Sequence, residues 1–130
     1  MNRDEVNAMT DAELRSVAII LRDHGPIAIA VDREKGIFVG LNNETYYVSL
    51  DALEIEPDYC NDIAAALELA KLEPITWSWL ARLIDERPGS RRYMIYNVMP
   101  KATPKNITCA FIMAMTSKGN DEGESVMHPG

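Results

Sequence analysis

The chain has 130 residues, 47% of them hydrophobic and 25% charged, the balance of one globular domain. Its net charge of −7 works against general nucleic-acid binding, which uses lysine and arginine to displace phosphate counterions. No run approaches the roughly 20 apolar residues of a membrane span and no secretory leader is visible, so a cytoplasmic protein is the expectation.

Residues 1–9 read as an irregular start. Thr10 and Glu13 form a T-x-x-E capping box, and Leu14, Val17, Ala18 and Leu21 follow at helical spacing until His24-Gly25-Pro26 stops the helix. His24 is a favourable charge at the negative helix end. Ile27, Ile29 and Val31 alternate, as do Ile37, Val39 and Leu41 beyond the turn Arg33-Glu34-Lys35-Gly36. Asn42-Asn43 makes a second turn before a third strand at Tyr46–Leu50. Asp58 or Asn61 can cap a second helix, whose buried stripe is Ile63, Leu67 and Ala70.

Ile75-Thr76-Trp77-Ser78-Trp79 alternates in β-favouring types, and Tyr93–Val98 is a second such run beyond the turn Arg87-Pro88-Gly89-Ser90; together they predict a hairpin. Leu80, Leu83 and Ile84 also fit a helical face, so a helix over residues 77–86 competes with it. Pro104 opens a last helix with Ile107, Phe111, Ala114 and Met115 inward. The expected fold is α+β, an antiparallel sheet of about five strands layered with three helices in the order α-β-β-β-α-β-β-α. Residues 1–118 would form the single domain and residues 119–130 a mobile acidic tail.

Tyr59-Cys60-Asn61-Asp62-Ile63-Ala64-Ala65-Ala66-Leu67 resembles the Tyr-Ser-Thr-Asp-Ile-Ala-Ala-Ala-aromatic run of the phage ABA sandwich domain family. A hairpin and then Thr103-Pro104 leading into Ile107-Thr108-Cys109-Ala110 resembles that family's closing helix, and the likeness covers about residues 57–117. Cys60 stands in place of a hydroxyl residue, Leu67 in place of the aromatic, and Phe111-Ile112 in place of smaller alanines. The resemblance implies a phage or prophage protein in a bacterial cytoplasm with an α-β-α layered fold. It transfers no catalytic residue.

The residues themselves offer little catalytic chemistry. His24 and His128 are the two histidines, and neither lies near a nucleophile in the sequence. Gly36-Ile37-Phe38-Val39-Gly40 lies in a hairpin, not between a strand and a helix where a phosphate loop belongs. Cys60 and Cys109 form no C-x-x-C pair, so no metal is expected, and no cofactor either.

The candidates are binding residues. Residues 1–81 hold six basic and fifteen acidic residues, whereas residues 82–118 hold seven basic against two acidic, a local basic region on an acidic chain. Trp77 and Trp79 would share one strand face, and Arg91, Arg92 and Tyr93 would return alongside, so the hairpin could hold a phosphate-bearing base or a partner's anchor. Packing alone also accounts for the tryptophans. Tyr59 and Asp62 flank the start of the second helix, either as structural groups or on the rim of a ligand pocket.

The expectation is a non-enzymatic accessory protein that binds a host protein or a small nucleotide-like anion, for example to blunt host defence. A small enzyme of unknown reaction and an acidic DNA mimic are the alternatives, and self-association stays open.

Overall fold

The computed structural model describes residues 1–53, 56–85 and 101–127. Capping chemistry starts the chain. Asn2 Oδ1 accepts from the Glu5 N–H at 2.8 Å, and the Glu5 carboxylate accepts from the Asn2 N–H at 3.2 Å. This reciprocal box opens α1 (Arg3–Ala8), which Val6 anchors in the core. Residues 1–9 are therefore helical in part, not the irregular start expected. Thr10 and Glu13 form the second box and open α2 (Asp11–His24). Leu14, Val17, Ala18 and Leu21 are buried, and Gly25 closes the helix at a φ of 77°.

The sheet follows the expected alternation. β1 (Ala28–Asp32), β2 (Gly36–Leu41) and β3 (Glu44–Val48) pair antiparallel in the order β1-β2-β3. Asn42 and Asn43 make the second turn with φ of 54° and 65°, the left-handed pair that a two-residue hairpin loop requires. Gly36 has a φ of 111°, and a Cβ there would meet the Val48 carbonyl oxygen at 2.1 Å, so no other residue fits. The register sets Ile29 beside Val39 and Tyr46, and Val31 beside Ile37 and Val48, on the inner face. Ile37 and Val39 are fully buried there.

A short 3-10 turn (Leu50–Ala52) leaves the sheet. Three helices follow: α3 (Ile63–Leu72), α4 (Thr76–Asp85) and α5 (Pro104–Met127). Asp62, not Asp58 or Asn61, caps α3, and the buried stripe is Ala66, Leu69 and Ala70, whereas the expected Ile63 and Leu67 are exposed. α4 overturns the expected second hairpin. Five alternating residues from Ile75 are outweighed by a longer helical pattern, in which Thr76, Leu80, Ala81 and Leu83 are buried. The expected partner strand, Tyr93–Val98, lies outside the described residues.

The chain is α+β, but the expected sheet of five strands and three helices is corrected. Among the described residues there are three strands and five helices, in the order α-α-β-β-β-α-α-α. The core is built on α5, which packs against α1, α2, α3, α4 and β1. Every residue from Ile107 to Thr116 is buried, so the helix is enclosed all round and has no single inward stripe. Its backbone continues past Lys118 to Met127. Among the described residues, no helix is long and apolar enough to cross a membrane.

Candidate functional site

The helix in place of a strand moves the tryptophans apart. Two residues along a helix turn about 200°, so Trp77 and Trp79 do not share a face. Both are half-buried against the core, and the Arg82 guanidinium carbon lies 4.6 Å from the Trp79 ring centre. Arg91, Arg92 and Tyr93 lie outside the described residues. Asp62 is exposed and its carboxylate accepts from the Ala64 and Ala65 amides at 3.0 and 3.3 Å, the work of a helix cap.

Tyr59 is the predicted residue that the fold sets beside a cleft. Its ring is buried and its hydroxyl accepts from Arg22 Nη1, while Arg22 Nε donates to Asp23 at 2.9 Å. The bond to Asp23 above all, and then that to Tyr59, holds the guanidinium pKa above its ordinary value. On the α3 side stand Glu68, Leu69, Lys71 and Leu72. The cleft they line with Arg22 and Tyr59 has a volume of about 420 Å³. Asp62 is not part of it.

Cys60 and Cys109 are free and buried. Desolvation first of all pushes their thiols up, to about 11 for Cys60 and about 12 for Cys109. Both are therefore neutral thiols at physiological pH, poor as nucleophiles or metal ligands. Among the described residues no group of His, Cys, Asp and Glu could hold a metal ion.

The aromatic pair on the outer face of the sheet was missed by sequence reasoning. Ala30, Phe38 and Tyr47 form one row across the three strands, and Ala28, Gly40 and Thr45 the next. An antiparallel sheet covered on one side ordinarily carries polar residues on the other. Here small residues surround an aromatic pair, the Phe38 and Tyr47 rings meeting edge to face at 5.6 Å. Lys35 Nζ lies 5.7 Å from the Tyr47 ring centre. Tyr46 points to the opposite face, yet it too is 42% exposed, against 46% for Tyr47, because β3 is an edge strand among the described residues. The signal was present in the sequence: Tyr-Tyr in a strand must place one ring on each face.

Comparison with protein-family models, with curated proteins and with solved structures gives no match.

Proposed function

We propose that the protein is a non-catalytic accessory protein that holds a partner protein, and that it pairs an extended segment of that partner with β3. The observation that carries this reading is the exposure of Tyr46 and Tyr47 on the two sides of β3, an edge strand among the described residues. Strand edges are usually blunted by lysine, proline or a bulge, because their amides and carbonyls template further pairing. β3 reads Glu-Thr-Tyr-Tyr-Val and carries neither lysine nor proline. An added strand would gain main-chain hydrogen bonds, and the two tyrosines would grip its alternate side chains.

Charge selects the occupant. Glu44 opens β3, Asp51 follows it, and Asp32 at the end of β1 and Glu34 in the turn lie beside its far end, against Arg33 and Lys35. Tyr47 already has the Lys35 ammonium beside its ring. The partner segment is therefore extended and carries Lys or Arg. A second copy of this chain fits less well, since each copy has a net charge of −7. The resemblance of the runs Tyr59–Leu67 and Thr103–Ala110 to the phage ABA sandwich family supports a phage or prophage origin, and with it a partner in the bacterial cytoplasm, although α4 stands where the resemblance implies a hairpin.

The test uses a synthetic peptide of alternating Lys and Val and its Glu-Val counterpart. The Lys-Val peptide should slow hydrogen exchange at the β3 amides, and the Glu-Val peptide should not. Lysine at both exposed tyrosines, Tyr46→Lys with Tyr47→Lys, should weaken binding at least about tenfold with the melting temperature held. Equal binding of both peptides, or no protection of β3, overturns the reading. So does a dimer in sedimentation that the lysine variant dissolves, because the occupant is then a second copy.

A further inference from the structure

The cleft between the end of α2 and α3 is organised before any ligand arrives. Tyr59 is tied at three points: its hydroxyl accepts from Arg22, its amide donates to the Pro57 carbonyl at 3.0 Å, and its carbonyl accepts from Thr108 Oγ1 at 2.7 Å. Arg22 is steered by both Asp23 and Tyr59, which take two of its five N–H donors. Its side chain keeps 34% of its surface exposed, so a charged fork stands at the mouth in a fixed direction. Across from it, Lys71 Nζ pairs with Glu68 at 3.4 Å, with both side chains largely in solvent. An exposed pair of this kind contributes little, so Lys71 is released at small cost.

The remaining wall is apolar. Leu69 is buried behind the cleft, and Leu72 is 56% exposed at its edge. A volume of about 420 Å³ lies in the range of small-molecule sites. A guanidinium of fixed orientation, a second cation that can swing in, and a leucine-tyrosine wall match one chemistry. We infer that the cleft binds a small amphipathic anion, a carboxylate or phosphate carried on a short aliphatic or aromatic body. The head group meets the Arg22 fork through charge-assisted hydrogen bonds, Lys71 closes on it, and the body covers Leu72. Fixing Arg22 and Tyr59 beforehand spares the ligand most of the ordering entropy. This site is separate from β3 and stands or falls without it.

The test is an NMR titration of the full chain, following the Arg22 Nε–H and the amides of residues 69–72, with hexanoate, phenyl phosphate and inorganic phosphate as probes. Hexanoate, phenyl phosphate or both should shift these signals to saturation, and which of them does so names the head group. Inorganic phosphate should bind at least about tenfold more weakly, because it lacks the apolar body. Arg22→Gln should lower affinity for the bound probe at least about tenfold. Because Arg22 also supports Tyr59, Leu72→Glu provides the second variant: it changes an exposed position, leaves the fold intact and sets a carboxylate against the head group. Binding of inorganic phosphate as tight as that of the other probes overturns the inference. So does unchanged affinity in both variants, or the absence of any shift at about 10 mM probe.

Discussion

Cys60 and Cys109 lie where α3 is led in and where α5 is most enclosed, and each acts as a small apolar group. Their pKa values rise from 9.0 to about 11 and about 12, with burial as the first cause in both. The folded state therefore holds these protons more tightly than the unfolded chain does. The stability gained in this way is complete below pH 9.0 and is lost as pH rises through about 11 and about 12. The double variant Cys60→Ala with Cys109→Ala should lose less stability than the wild type over that interval, read as the shift of the urea midpoint with pH. A wild type and variant that lose stability in parallel would show that the thiols carry no alkaline linkage. In the native protein at pH 8, neither thiol should react with an aromatic disulfide reagent faster than the chain unfolds.

At the scale of the element, α4 is the sharpest case. Leu80 is fully buried in it and belongs to the core cluster. Leu80→Ala should cost about 2–5 kcal/mol, the range for a large side chain removed from a packed core. A loss well under 1 kcal/mol in chemical denaturation would mean that α4 is not seated on α5 as described. The sequence around it carried two periods at once. Ile75, Trp77 and Trp79 keep a period of two over five residues, while Thr76, Leu80 and Leu83 keep a helical one over eight. The longer pattern prevails because it continues into a helix–helix contact, which a short window cannot reveal.

α2 and the β2–β3 hairpin were legible for the opposite reason: their boundaries are chemical. Thr10 with Glu13, Gly25, and Asn42-Asn43 each satisfy backbone groups locally. The cleft was not legible. Arg22 and Tyr59 are 37 positions apart, and they meet because α2 packs on α5 while Thr108 of α5 holds the Tyr59 carbonyl. The outer face was half legible, since alternation separates two faces without saying which one helices will cover.

At the scale of the whole molecule, charge is the property that reaches beyond any single contact. Residues 1–81 carry fifteen acidic against six basic residues, and the three strands among the described residues lie within them. A basic segment approaching β3 is thus drawn in by more than the nearest carboxylates. Such attraction acts through solvent, where the screening length falls from about 10 Å at 0.1 M salt to about 3 Å at 1 M. The pairing of main chains and the burial of tyrosine rings are short-ranged and barely feel this change. Salt should therefore separate the two contributions. Association of the Lys-Val peptide, followed by stopped-flow tyrosine fluorescence, should slow roughly tenfold or more between low and high salt. Dissociation should change far less, because it is set by contacts at the strand edge. If both rates keep their low-salt values at high salt, the acidic setting of β3 plays no part in choosing the partner. The segment it holds would then be selected by shape and apolar contact alone.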